Sequence, residues 1–300
     1  MQTALKPVQT IAVANRLGEG IQWHADSGSL WWTDILSCRL YRLDWSTQQQ
    51  QVWTTPERLT AFGILSTDPV KLLVSFESGF ALYHPDEDRV HWLARPEQGV
   101  AGNRFNDGRV DRQGRFWSGT MVEDDQGQTG TLYRLDEQGA HPMLKGLSIP
   151  NALCWSPDGR VMYHADTPTG LIRRFDFDAA TGSLSGARDF ARVPTGNPDG
   201  ACIDAEGHLL CALWGGHGLV RFAPDGRQTT LHELPVSQPT CVALGGPEMN
   251  LLFVSSAREG LSDEALAAEP LAGSVLVYET PYQGLVEMVP APGCWLAGPA

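Results

Sequence analysis

The sequence predicts an all-β fold: one six-bladed β-propeller of four-stranded blades, spanning residues 1–300 as a single domain. Three observations predict it. Strand-like segments recur six times at a spacing of roughly 42–48 residues, the length of a four-stranded blade. Turn signals rich in Asp and Gly separate the strands. No helical period is sustained, and only SDEALAAE, after Leu261, has the pattern of a short helical turn.

The six segments begin at Gly28 (GSLWWTDILSCRLYRLDW), Val70 (VKLLVSFESGFALYHPDEDRV), Gly114 (GRFWSGTMVEDDQGQTGTLYRLDEQG), Gly159 (GRVMYHADTPTGLIRRFDFDAATG), Gly207 (GHLLCALWGGHGLVRFAPDG) and Asn250 (NLLFVSSAREGLSDEALAAEPLAGSVLVYE). Each is a β-branched or aromatic strand, a loop and a second strand. Each follows an upstream apolar strand, which in most cases ends in a turn such as HADSG, DRQG, SPDG or DAEG. A ring left open would expose a raw sheet edge. The strand TIAVAN (Thr10 to Asn15) is therefore expected to complete the sixth blade beside the C-terminal strands.

Composition agrees. Apolar residues make up 42% of the 300 residues and charged residues 19%, enough apolar surface for a large core and too little charge for disorder. The 32 Gly and 20 Pro are scattered, as many short strands require. The net charge of -13, with 22 Lys and Arg against 35 acids, excludes a nucleic acid or an anionic membrane as the expected partner. Met1 to Asn15 lacks the apolar core of a secretory signal, and no run approaches the roughly 20 apolar residues of a membrane span. The expected location is cytoplasmic. Cys38, Cys154, Cys202, Cys211, Cys241 and Cys294 form no CxxC pair, so reduced, buried thiols are expected. The Trp31–Trp32 pair should alternate across its strand, placing at least one ring in the core.

In a propeller the first strand of each blade lines the axial channel, and the heads of those strands converge at one mouth. Counting back from each second strand gives one polar head per blade: Glu19, Thr60, Asn106, Asn151, Asp199 and Thr240. Converging carboxylates repel unless a proton or cation lies between them. An all-oxygen donor set suits Ca²⁺, Mg²⁺ or Mn²⁺. The bland reading is that Asn, Asp and Thr at such positions merely stabilise turns.

The stretches LGEGIQWHADSGSLWWTDI, RFNDGRVDRQGRFWSGTM, PNALCWSPDGRVMYHADT, NPDGACIDAEGHLLCALWGG and PTCVALGGPEMNLLFVSSAREG run from the first blade to the last. In them the chain resembles the family of senescence marker protein, regucalcin and bacterial sugar lactonases. The resemblance implies one divalent ion and hydrolysis of a sugar lactone to the aldonic acid. It implies Glu19, Asn151 and Asp199 as metal ligands, Arg104 and Asn106 as substrate-binding residues, and Glu123 or its neighbour Asp124 as a further acidic substrate contact. Ile21 stands where the family commonly has Pro. An open, oxygen-rich site discriminates weakly, so Ca²⁺, Mn²⁺, Mg²⁺, Zn²⁺ and Fe²⁺ all remain admissible.

For a cyclic ester, such an ion would polarise the carbonyl and acidify a neighbouring water. Asp199 is the expected general base, with Arg104 and Asn106 orienting the sugar. No GxSxG elbow and no zinc-type His spacing offers another nucleophile. Trp214, in LWGGHG, is placed either in the packing or at the channel mouth. Two other readings stay open: a related esterase or phosphotriesterase, and a calcium-binding regulatory protein without catalysis.

Overall fold

The computed structural model describes residues 5–123 and 127–295. Within them, six antiparallel four-stranded sheets form a ring. The inner strands are Gly18–His24, Leu59–Thr67, Asn103–Val110, Pro150–Trp155, Asn197–Ile203 and Pro239–Gly245. Each inner strand touches the next around the axis, and the sixth touches the first.

Blades one to five are each built from four consecutive strands. Blade six takes three strands from the end of the chain and its outermost from the beginning: Lys6–Ile11 pairs antiparallel with Val275–Glu279, with Ile11 opposite Val275 and Lys6 opposite Glu279. The closure is as expected, but the strand lies earlier than TIAVAN. Ala14 has a φ of 52°, a left-handed conformation that cannot continue a strand, so the chain turns there instead.

Six apolar clusters fill the six wedges between neighbouring blades. The expectation that at least one ring of the tryptophan pair lies in the core holds for both. Trp32 packs between blades six and one, stacked on Tyr41, while Trp31 packs between blades one and two, stacked on Trp53, and both are 0% exposed. A blade with a neighbour on each face buries both faces, so alternation along the strand selects which wedge a side chain fills. Four of the cysteines are buried and free; Cys38 and Cys294 are free but only half-buried.

The turn motifs fold by side-chain acceptance. In DRQG, Asp111 accepts the amides of Gln113 and Arg115, the Arg115 guanidinium and the Trp117 indole. In DAEG, Asp204 accepts the amides of Glu206 and His208 and the Arg221 guanidinium. A short carboxylate gathering successive amides is what makes Asp a turn residue. The one short α-helix among the described residues, Asp263–Ala268, falls within SDEALAAE and is capped by the Ser262 hydroxyl. Among the described residues, no helix is long and apolar enough to cross a membrane.

His164, on the second strand of blade four, is buried with Nε2 unpartnered. Burial, reinforced by the Arg173 charge, lowers its pKa from 6.5 to about 4. The unfolded chain therefore takes up this proton first, so the stability tied to the neutral ring is complete above pH 6.5 and is lost as pH falls towards 4. In urea denaturation between pH 7 and pH 4, His164→Leu should lose less stability than the parent, by up to about 3 kcal/mol. Equal losses would show that the ring is not held neutral.

Candidate functional site

The polar heads emerge where each inner strand breaks register with its neighbour. The irregularities fall between Glu19 and Gln22, Leu59 and Ala61, Phe105 and Gly108, Asn151 and Cys154, Pro198 and Ala201, and Pro239 and Val242. A bulge bends the strand and re-aims the side chain beside it. In blade one it places Gly20 at a φ of 58°, a conformation that glycine takes without a Cβ penalty. Ala152 adopts a φ of 56° in blade four despite its Cβ.

Four of the six heads, Glu19, Asn106, Asn151 and Asp199, line one cavity of about 250 Å³. The other two do not reach it. The Thr60 hydroxyl bonds to the carbonyl and hydroxyl of Ser75, and that of Thr240 to the Gly18 carbonyl and the Ser255 hydroxyl, fastening neighbouring strands of the ring. Arg104 and Thr167 complete the polar lining, Leu17, Met121, Ile149 and Trp214 supply an apolar wall, and Glu259 adds an exposed carboxylate. Trp214 thus stands at the cavity.

A hydrogen-bond chain crosses three blades. Glu123 Oε1 accepts from Arg104 Nε (2.9 Å), and Arg104 Nη1 donates to Asn106 Oδ1 (3.0 Å). Asn106 Nδ2 donates to Asn151 Oδ1 (3.2 Å), Asn151 Nδ2 to Thr167 Oγ1 (2.8 Å), and the Thr167 hydroxyl to the Pro198 carbonyl (2.9 Å), next to Asp199. The chain fixes both amide orientations. It leaves Asn151 Oδ1, with two lone pairs and one donor, able to accept a further partner. Glu123 is also held by Arg58, and it lines an adjoining cavity with Arg58 and Glu97. Asp124 lies outside the described residues.

Three carboxylates gather at the axis: Asp199 is buried, and Glu19 and Asp107 are half-buried. Burial first, and then the Asp107 charge, pushes the Glu19 carboxyl above its ordinary value. Burial, then Glu19, then Asp107, pushes Asp199 well above its own. Among the described residues neither Glu19 nor Asp199 has a salt-bridge partner within 4 Å. Two acids that no guanidinium or ammonium pairs directly, lining the cavity with an amide oxygen that has a spare lone pair, form a donor set that suits a hard divalent cation.

Asp204, Glu206 and His208 also bring potential ligand atoms within 4.8 Å of one another. There a cation is already in place, since the Arg221 guanidinium pairs with both Asp204 and Glu206. That cluster is the DAEG turn clasp. Sequence reasoning missed Asp107, Thr167 and Glu259. Asp107 directly follows Asn106 in FNDG and Thr167 ends HADT, so both sit inside motifs already singled out, but no spacing rule marks them. Glu259 lies near the end of the last matching motif, in SSAREG, and carries no spacing signal of its own.

The SMP-30/Gluconolactonase/LRE-like region matches residues 17–258. The chain is 36% identical over 274 residues to the 6-deoxy-6-sulfogluconolactonase of Pseudomonas putida, an alignment that covers 90% of this chain and 94% of that one. It is 37% identical over 280 residues to the L-arabinolactonase of Azospirillum brasilense, covering 90% and 91%. The crystal structure of a calcium-binding protein, regucalcin, from Agrobacterium tumefaciens superposes with a TM-score of 0.91 at 32% identity, covering 97% of this chain and all of that one. With four polar heads at one cavity and a match running from blade one to blade six, the chain belongs to the SMP-30/gluconolactonase/LRE-like family.

Proposed function

We propose that the chain hydrolyses a sugar lactone to the aldonic acid, with Glu19, Asn151 and Asp199 holding one divalent ion. The observation that carries this reading is a pair of carboxylates, Glu19 and Asp199, with no ion-pair partner among the described residues, lining a cavity of about 250 Å³ together with the fixed amide of Asn151. When bound, the ion would supply Lewis acidity to the lactone carbonyl.

The remaining steps fall to the chain's own residues. Asp199 takes the proton of the attacking water on a carboxylate oxygen and returns it to the ring oxygen as the C–O bond breaks. Arg104 is held by Glu123 on one side and Asn106 on the other, so its remaining N–H groups are aimed rather than mobile. It steadies the charge that develops on the carbonyl oxygen, and Asn106 orients the substrate. Glu123, clamped between Arg58 and Arg104, acts on substrate through the arginine it positions. The apolar wall and Trp214 pack against the sugar's carbon face and keep bulk water out.

The same lining bears on the choice of substrate. Arg104 is paired with Glu123, Arg58 with Glu77 and Glu123, and the exposed residue of the lining is the acid Glu259. Arg104 is the one guanidinium lining the cavity among the described residues, and Glu123 already balances its charge, so a sulfonate on the exocyclic carbon would meet a surplus of carboxylates from Glu19, Asp199 and Glu259. A neutral pentono- or hexonolactone fits better.

Three outcomes follow. In a pH-drop assay over a lactone panel, neutral aldonolactones should be turned over, with kcat/KM at least about tenfold above a 6-sulfonated analogue. Release of acid from no lactone, with divalent ion present, would contradict the catalytic reading and leave ion binding as the function. Asp199→Asn should lower kcat by about 10²- to 10⁴-fold, and retained activity would remove Asp199 as the base. Stripping divalent ions with a chelator should lower the melting temperature. Restoring Ca²⁺ or Mn²⁺ at a hundredfold excess over Kd should return about 2.7 kcal/mol, and Glu19→Gln should lose that response.

A further inference from the structure

Asp107 is a half-buried carboxylate that the proposed chemistry leaves unused. Its Oδ2 accepts the Leu153 amide at 2.9 Å. Leu153 lies in the blade-four bulge, directly after Ala152 at its left-handed φ of 56°. That conformation costs an L-residue on the order of 1–2 kcal/mol and persists only where its surroundings enforce it. Asp107 supplies the enforcement, because it takes the amide that the bulge removes from the ladder. Asn151 sits at the other end of the same bulge and is aimed by it.

Asp107 in turn lines one small cavity with Arg109 and Glu287. Burial pushes its carboxyl above the ordinary value, and the Leu153 amide and then the Arg109 charge pull it back. Arg109 Nη1 donates to the Ala201 carbonyl at 2.6 Å, and Nη2 pairs with Glu287 Oε1 at 3.3 Å. Two small cavities, of about 10 and 20 Å³, border both Arg109 and Glu287. Each has room for about one water molecule.

Glu287 belongs to the segment after the last strand, and that segment seals the channel from the face opposite the site. It binds the loops that follow the inner strands, whereas the polar heads sit where those strands begin. The Gly284 amide donates to the Met249 carbonyl in blade six, and the Ala205 amide in blade five donates to the Gln283 carbonyl. The Ala291 amide donates to the Gly114 carbonyl in blade three. Pro290 packs so closely on Gly63 of blade two that a Cβ there would lie 2.5 Å from its ring.

We propose that residues 280–295 are a positioning element for the site: Glu287 holds Arg109, Arg109 balances Asp107, and Asp107 holds the bulge that aims Asn151 into the cavity. Glu287 acts across the whole depth of the channel without touching substrate.

The test uses the full chain carrying Glu287→Gln. Hydrogen exchange is read at residues 151–154 and Ca²⁺ affinity by calorimetry, with Val286→Ala, an exposed neighbour, as the control. Exchange at Leu153 should quicken by about tenfold and Ca²⁺ should bind about tenfold more weakly, the scale on which supporting partners act on a metal site. The control should change neither. Glu287→Asp, which keeps the charge on a shorter arm, should fall between parent and Gln, and it serves alone if the Gln variant does not fold. A folded variant that melts earlier but keeps parental exchange at 151–154 and parental affinity would overturn the inference, because a merely structural tail predicts that pattern. The affinity arm rests on the proposed ion site and the exchange arm does not. A parent chain that binds no Ca²⁺ would therefore refute the function while exchange at Leu153 still decides the tail's role.

Discussion

Glu19, Asp107 and Asp199 crowd together at the axis, and among the described residues no Lys or Arg forms an ion pair with the two that line the cavity. Buried carboxylates repel one another and resist ionising. A fold that concentrates them needs a compensating reason to keep them, and here the compensation is chemical. The blades, the bulges and the hydrogen-bond chain from Glu123 to the Pro198 carbonyl all serve to hold acids where they would not otherwise stay.

The ring makes this tenable by being rigid. Each blade is packed on both faces by a separate apolar wedge, and the N-terminal strand closes blade six, so no blade has a free side on which to relax. Rigidity alone would leave the heads pointing along their strands. The register breaks turn them inward, and at Ala152 the turn is made by a residue poorly suited to it. Local strain at one position is thus stabilised by a hydrogen bond from a neighbouring blade, which ties the aim of Asn151 to the integrity of blade three.

The fold and half of the site were legible in the sequence. Six repeats with Asp-Gly turns define blades because turn chemistry is local. Glu19, Asn106, Asn151 and Asp199 could be read because they occupy one register of a repeating unit. That same register also proposed Thr60 and Thr240, which instead bind neighbouring backbone and hydroxyl groups; a head's position is periodic, but its hydrogen-bond partner is not. The two-faced burial of Trp31 and Trp32 was hidden because alternation indicates a face and not what covers it. Asp107, Arg109 and Glu287 were hidden for a different reason. Glu287 lies almost 180 residues from Arg109 in the chain, and only the folded ring brings the two together.

The family relatives are named for different lactones. Here the wall is apolar, the guanidinium groups are already paired, and the exposed charge is an acid. Everything in this account still turns on where a divalent ion would sit. The most direct measurement is anomalous diffraction from crystals equilibrated with Mn²⁺. The account predicts one strong peak in the axial cavity, within about 2.0–2.6 Å of oxygens from Glu19, Asn151 and Asp199. A peak at Asp204, Glu206 and His208 with none at the axis, or no peak at all, would contradict it.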